Sequence, residues 1–131
     1  MESQYREITL EDYKEICGWW QAQGWPPIPL SDLPNTGVIV HVNGEPSAAG
    51  FLYKTDSSFC VLEFIVGNPK ADKAYRRRGI DVLLEALLTK AKTAGYTRVF
   101  SSIQHPRLEQ AYLAAGFTVT DTGMKSMVKS L

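Results

Sequence analysis

The residues with the clearest chemical potential form a basic run between two apolar segments. Residues 59–66 are apolar and strand-like, and residues 70–79 are strongly basic, with three consecutive arginines, Arg76 to Arg78, before Gly79. An amphipathic segment follows. Guanidinium groups suit phosphate, and the free amides and dipole of a helix N-terminus favour negative charge. We therefore predict that a phosphate-bearing ligand binds where this strand meets this helix.

The amphipathic segment predicts a helix from Ile80 to Ala94. Its apolar residues recur on one face: Ile80, Leu83, Leu84, Leu87, Leu88 and Ala91. Asp81 lies at or beside the predicted N-cap, and Gly95 lies at the C-terminal stop position. The arginines would then form a loop in front of the helix.

Size and charge set limits on the possible functions. The chain has 131 residues, which predicts one domain over 1–131. Lys plus Arg and Asp plus Glu number 14 each, so the basic run is a local feature. Nucleic-acid binding through this run is a hypothesis that the balanced charge disfavours. No apolar run approaches the ~20 residues of a membrane span, and we expect a cytoplasmic protein.

The cysteines and histidines predict no metal site and no nucleophilic triad. Cys17 and Cys60 are far apart and lack metal-ligand spacing, which favours free thiols in a reducing compartment. His41 and His105 have no partners at ligand or triad spacing. The chemistry must therefore come from other side chains.

The remaining pattern predicts an α+β fold. A strand at 5–8 precedes a helix that starts at Thr9, with Asp12 in capping-box position. The Asn43-Gly44 pair predicts a hairpin of two strands, which leads into the strand at 59–66. Beyond the central helix we expect these elements: a strand at 97–102, parallel to 59–66; a helix at 106–115; and a hairpin of 117–120 with 124–128.

This order of elements resembles the GNAT superfamily of N-acetyltransferases over nearly the whole chain. The segment Arg76–Asp81 looks like the acetyl-CoA loop of that superfamily, [Q/R]-x-x-G-x-[G/A]. Glu63 lies six residues before Pro69, where many members carry an acidic residue, and 112–117 looks like a Y-x-x-x-G-F ending. The resemblance implies a central mixed, mostly antiparallel sheet flanked by helices, with one parallel, splayed pair of strands.

The resemblance also implies an activity, which is acetyl-CoA-dependent transfer of an acetyl group to an amine by direct attack. Acetyl-CoA would be the co-substrate, no metal would take part, and the acceptor would be a small-molecule or peptide amine. Glu63 would act as the base, and Tyr112 would protonate the leaving thiolate. The residues implied in binding acetyl-CoA are Ile65, Val66, Arg76, Arg77, Arg78, Gly79, Ile80, Asp81 and His105.

Other interpretations of these residues remain open. Glu63 could be a solvated or paired carboxylate, and Tyr112 could simply fill the core. The tryptophans Trp19, Trp20 and Trp25, with the prolines that follow, could line an acceptor pocket, pack in the core or form a subunit contact.

Two residues depart from the family pattern. Asp81 replaces a Gly or Ala and would repel the pyrophosphate, and His105 replaces a common asparagine. The alternative function is a catalytically silent GNAT-like domain that serves protein binding or assembly. Analogy with the family also allows a homodimer formed through the C-terminal hairpin.

Overall fold

The structure is a computed structural model that describes all 131 residues. In chain order the elements are β1 (Ser3–Glu7), α1 (Leu10–Ala22), a 3₁₀ turn (Leu30–Asp32), β2 (Thr36–Val42), β3 (Glu45–Tyr53), β4 (Phe59–Gly67), α2 (Lys73–Thr93), β5 (Arg98–Ser101) and α3 (Pro106–Ala114). The predicted order of elements is confirmed as far as α3. None of the helices is long and apolar enough to cross a bilayer.

The five strands form one sheet in the order β1-β2-β3-β4-β5. Neighbouring strands are antiparallel except β4 and β5, which are parallel and connected through α2. Asn43 and Gly44 both have positive φ angles, 50° and 78°, as the predicted tight hairpin turn requires. The mixed, mostly antiparallel sheet with one parallel pair is therefore confirmed.

Each face of the sheet packs against helices. Ile39 points to one face of β2, whereas Val38, Val40 and Val42 point to the other. The cluster on the first face, here called the α1-side cluster, contains Ile16, Trp19, Trp20, Ile39, Ala49, Phe51 and Val66. The larger cluster on the second face includes the apolar residues of α2 together with Tyr112 of α3. Trp19 and Trp20 are therefore core residues, while Trp25 remains 40% exposed.

A bulge interrupts β4 opposite Gly50. The register runs from Ala49↔Val66 to Phe51↔Glu63, so that Phe64 and Ile65 together oppose one residue of β3. At the bulge Phe64 has a left-handed backbone conformation, with a φ of 60°. A Cβ at Gly50 would lie 2.3 Å from Ile65 Cδ1, so glycine leaves room for the Ile65 side chain in its present position.

The strands β4 and β5 pair over only part of their length. Their last paired residues are Leu62 and Ser101, where β5 ends, whereas β4 continues to Gly67. The backbone of β4 beyond Leu62 therefore has no neighbouring strand on that side. This gap is the splay that the resemblance to the GNAT superfamily implied.

The predicted start of α2 is wrong by seven residues. The helix begins at Lys73, and Asp72, not Asp81, is its N-cap. The Asp72 carboxylate accepts a hydrogen bond from the Ala74 amide at 2.8 Å, and the Asp72 carbonyl accepts one from the Arg76 amide at 2.9 Å. Alanine and arginine are strong helix formers, so the basic run extends the helix once a cap is available upstream.

The predicted C-terminal hairpin is also wrong. No strand follows α3, and the apolar side chains of this segment are largely exposed: Val119, Met124, Met127, Val128 and Leu131. An isolated two-stranded hairpin is marginal without a packed face, and only Phe117 of this part of the chain packs against the core.

Candidate active site

Glu63 and Tyr112 lie together where β4 and β5 separate. Tyr112 comes from α3 and packs against the larger core cluster, while Glu63 is the first residue of β4 beyond its last pair with β5. The Ser102 amide lies 3.4 Å from the Glu63 carboxylate, and the Tyr112 hydroxyl lies 2.8 Å from Ser101 Oγ. The end of β5 thus contacts both residues that the sequence proposed as catalytic.

The environment of Glu63 makes its carboxylate more basic. Glu63 is half-buried and has no ion-pair partner. Burial raises its pKa above the ordinary value for glutamate, and the hydrogen bond from the Ser102 amide opposes this rise. A carboxylate with a raised pKa is a better proton acceptor than a fully solvated one.

The Tyr112 hydroxyl has a defined hydrogen-bond direction. Ser101 has a single hydroxyl proton, which it donates to the Leu62 carbonyl at 2.8 Å. Tyr112 must therefore donate its own proton to Ser101 Oγ. Burial raises the pKa of Tyr112 to about 12 and nearby Glu63 adds to the rise, so the phenol keeps its proton at neutral pH.

Ile65 and Val66 lie on the unpaired part of β4. Their side chains are buried on opposite faces of the sheet, Ile65 in the larger cluster and Val66 in the α1-side cluster. Neither side chain can contact a ligand in the gap without leaving the core, so any contact with a ligand would come from their backbone groups.

The free amides at the start of α2 are not those that the sequence predicted. The Arg76 amide already bonds the Asp72 carbonyl, and the residues from Arg77 to Asp81 lie within the helix. Lys73 and Tyr75 are the residues of the first turn whose amides have no hydrogen-bond partner, since Asp72 caps that of Ala74. The prediction of free amides over Arg76–Asp81 is therefore wrong, and the available anion-binding groups lie one turn earlier.

The three arginines differ in their surroundings. Arg76 is half-buried, and its Nη1 donates to the carbonyls of Pro69 and Ala71, both at 3.0 Å, so that it fastens the loop before the helix. Arg77 and Arg78 are exposed and form no ion pair. These two arginines, together with the exposed Lys70 and Lys73, form the positive surface at the start of α2.

Gly79 and Ile80 contribute to the packing of the core. A Cβ at Gly79 would lie 2.9 Å from the Ser47 Cβ and 3.2 Å from the Ala48 Cβ, so glycine allows α2 to approach β3 closely. Ile80 is half-buried and packs against the larger cluster.

Asp81 lies away from the helix start. It is exposed on α2, eight residues after Lys73, or about 12 Å along the axis. There it borders a groove between α2 and α3 that is also lined by Ala111 and Ala115. Repulsion between Asp81 and an anion at the start of α2 is correspondingly weaker than the sequence suggested.

His105 is the N-cap of α3. Its Nδ1 accepts a hydrogen bond from the Arg107 amide at 3.1 Å, and its side chain is exposed. A contact between His105 and a ligand stays a prediction. The structure places no group of three or more His, Cys, Asp and Glu side chains where they could hold a metal ion.

Sequence reasoning missed three residues near Glu63, namely Tyr53, Ser101 and Ser102. The Tyr53 hydroxyl donates to the Asp32 carbonyl at 2.7 Å, and burial raises the pKa of Tyr53 to about 12, with Glu63 contributing. Ser101 and Ser102 could have been found from their position at the predicted end of a parallel strand. Tyr53 carries no such signal, because its place depends on the register of β3 with β4.

Several solved structures share this architecture. The ribosomal-protein-S18-alanine N-acetyltransferase from Escherichia coli matches 92% of this chain and 80% of its own, with a TM-score of 0.72 and 16% identity. The protein TTHA1254 from Thermus thermophilus matches over 98% of each chain, with a TM-score of 0.71 and 18% identity. The N-acetylglutamate synthase from Neisseria gonorrhoeae, solved with coenzyme A and N-acetyl-glutamate, matches 92% of this chain and 29% of its own, at a TM-score of 0.70 and 18% identity.

The chain has the GNAT fold. No family model and no curated protein sequence matches it. At these low identities the likeness to the solved structures establishes the architecture, while the reaction and the substrates must be argued from the chain's own residues.

Proposed function

We propose that this chain is a divergent GNAT enzyme that transfers an acetyl group from acetyl-CoA to an amine by direct attack. The observation that carries the proposal is the gap beside β4. It opens beyond the pair Leu62↔Ser101, and Glu63 and Tyr112 lie next to it. A fold of this kind with an exposed strand edge and two protonatable groups at one point suits acyl transfer.

Acetyl-CoA would bind along the free edge of β4. The amides of its pantetheine arm would pair with backbone groups near Ile65 and Val66, as a neighbouring strand does. An N–H of the same strand would stabilise the charge that develops on the thioester oxygen during attack. The bulge at Phe64 supports this role, because it breaks the regular ladder and changes the direction of backbone groups at this point.

The start of α2 would hold the pyrophosphate. The Lys73 and Tyr75 amides have no partner, and the helix dipole favours an anion there. Arg77, Arg78 and Lys70 would add charge. In this proposal the amides of the preceding helical turn, and not those of Arg76–Asp81, bind the pyrophosphate. The exposed side chains of Arg77 and Arg78 still contribute positive charge to its binding.

Glu63 would remove a proton from the amine. An ammonium cannot attack, so the nitrogen must lose a proton before it bonds to the acetyl carbon, and the upward shift of the Glu63 pKa suits this transfer. Tyr112 would then give a proton to the departing CoA thiolate. Its O–H must rotate away from Ser101 to do so, because in this structure the proton points to that oxygen.

The alternative, a silent GNAT domain that serves assembly, has its own support. Asp72 occupies one amide at the helix start, and the segment that follows α3 carries exposed apolar side chains suited to a homodimer. Two measurements separate the alternatives, namely calorimetry with acetyl-CoA and thiol release in the presence of a panel of amines. Micromolar to low-millimolar binding together with amine-dependent thiol release is expected. Absence of both at millimolar acetyl-CoA would favour the silent domain.

A further inference from the structure

The side of Glu63 that faces α1 consists of aromatic residues. Glu63 pairs with Phe51 of the α1-side cluster, and the bulge also directs Phe64 toward that cluster. The Phe64 ring lies edge-on to Trp20, with 6.2 Å between ring centroids, and edge-on to Tyr53 at 6.1 Å. Trp20 is fully buried behind Phe64, so we call the two half-buried rings, Tyr53 and Phe64, the aromatic wall. Because Glu63 pairs with Phe51 and Tyr53 pairs with Val61, Tyr53 is the diagonal neighbour of Glu63 on this face, and the wall borders that residue.

Tyr53 connects the wall to a second carboxylate, that of Asp32. Its hydroxyl donates to the Asp32 carbonyl, which fastens the 3₁₀ turn to the edge of the wall. The carboxylates of Glu63 and Asp32 both act on the Tyr53 phenol and help to raise its pKa. The space beside the wall is thus bordered by two carboxylates from different parts of the chain.

No ion pair neutralises these carboxylates. Neither Glu63 nor Asp32 takes part in an ion pair, and the two ion pairs of the chain involve other residues. None of the charges that shift the pKa values of Glu63, Tyr53 and Tyr112 is positive. The basic surface at α2 begins only after β4 has ended. A positive ligand would therefore be attracted here, whereas a phosphate or carboxylate would meet unpaired negative charge.

We infer that the acceptor is a cationic amine with an aromatic or aliphatic group next to the amine and with no phosphate or carboxylate. This inference rests on the proposed acetyl transfer. The wall would receive the hydrophobic group and the carboxylates would attract the ammonium, since aromatic faces and carboxylates both favour cations.

The atoms and charges of this transfer balance. The ammonium loses one proton to Glu63, its nitrogen bonds to the acetyl carbon, and the carbon–sulfur bond breaks. The nitrogen then loses a second proton and the thiolate gains one. The products are the amide, CoA with a free thiol, and one released proton.

A matched pair of acceptors tests the inference. Phenylalaninamide and phenylalanine share the ring and the amine, but only phenylalanine carries a carboxylate. We expect kcat/KM, corrected for the neutral fraction of each amine, to be about tenfold or more higher for phenylalaninamide, because a repulsion of ~1.4 kcal/mol between like charges is sufficient for such a factor. Equal values, or a preference for phenylalanine, would overturn the inference and leave the transferase proposal intact.

A charge-reversal variant tests the role of the second carboxylate. Asp32→Lys should reduce the preference for phenylalaninamide several-fold, whereas Asp56→Lys, in an exposed turn elsewhere, makes the same charge change and should not. An unchanged preference in Asp32→Lys would contradict the electrostatic argument.

Binding measured without acetyl-CoA keeps the two proposals separate. Trp20 packs against Phe64 of the wall, so tryptophan fluorescence should respond to phenylalaninamide more strongly than to phenylalanine. If acetyl-CoA gives no heat in calorimetry, the proposed function fails. In that case tighter binding of the amide would still support a site that prefers hydrophobic cations without a carboxylate, and no difference between the two ligands would overturn that preference as well.

Discussion

The Tyr112 hydroxyl and Ser101 Oγ lie 2.8 Å apart and form a chain of hydrogen bonds that ends at the Leu62 carbonyl. This chain joins α3, the end of β5 and the last paired residue of β4. It holds the phenol at the point where the strands separate. In this contact Ser101 has a mainly structural role, whereas Tyr112 has the proposed catalytic role.

Two single substitutions should separate these two roles. In Tyr112→Phe, Ser101 keeps its bond to Leu62, so stability should change little while kcat falls by about 10²-fold or more, as expected on loss of a general acid. In Ser101→Ala, the Tyr112 hydroxyl and the Leu62 carbonyl both lose a partner, at a cost of about 1–3 kcal/mol of unfolding free energy, with a smaller loss of kcat. Denaturant unfolding and steady-state kinetics on both variants provide the test. Equal turnover in Tyr112→Phe and the parent would remove the tyrosine from the mechanism.

Glu63→Gln should lower activity and raise stability. Without the base, kcat/KM should fall by about 10²- to 10⁴-fold. The pKa of Glu63 is raised in the folded state, so its ionisation opposes folding, and the parent loses stability as pH rises from the ordinary glutamate pKa through the raised value. The glutamine variant lacks this loss. Its melting temperature should exceed that of the parent at pH 7–8, and the difference should shrink toward pH 4.

A matched substitution controls for the general effect of removing a carboxylate. Glu85→Gln lies on the exposed side of α2 and should alter neither the melting temperature nor the rate appreciably. If Glu63→Gln proved as active as Glu85→Gln, Glu63 could not be the base.

Much of the fold could be predicted because its signals are local. The capping box of Thr9 with Asp12 and the Asn43-Gly44 turn each lie within a few residues and form as expected. The parallel pairing of β5 with β4 followed from the short crossover through α2. These features depend on propensity and connection length, which the sequence contains.

Other features depend on contacts between distant residues. The sequence analysis placed the helix cap at Asp81, and Gly79 before it suggested a loop, although the actual role of Gly79 is to let α2 approach Ser47 and Ala48. The place of Tyr53 beside Glu63 depends on the register of β3 with β4. The C-terminal hairpin failed because alternation alone cannot supply the packed face that a hairpin needs.

Removal of the exposed arginines should weaken acetyl-CoA binding. The double variant Arg77→Ala/Arg78→Ala should raise Kd about tenfold, since each surface charge contributes up to about 1 kcal/mol, and the effect should diminish at high salt. Lys90→Ala/Lys92→Ala removes the same charge from the opposite end of α2 and is the control. Calorimetry at two salt concentrations measures both variants. Equal losses in the two would mean that the start of α2 has no special role.

Gly79→Ala should destabilise the protein although alanine favours helix. The helical gain is about 1 kcal/mol, but the new Cβ would lie 2.9 Å from the Ser47 Cβ in the packed contact between α2 and β3, and overpacking of this kind costs about 1–3 kcal/mol. Gly18→Ala is the matched control, because Gly18 lies inside α1 with no atom within 4 Å of its added Cβ and should stabilise by up to about 1 kcal/mol. Thermal and denaturant unfolding of the two variants should therefore shift in opposite directions. If Gly79→Ala proved more stable than the parent, α2 would have to lie farther from β3 than in this structure. That result would also contradict the placement of the helix start beside the gap.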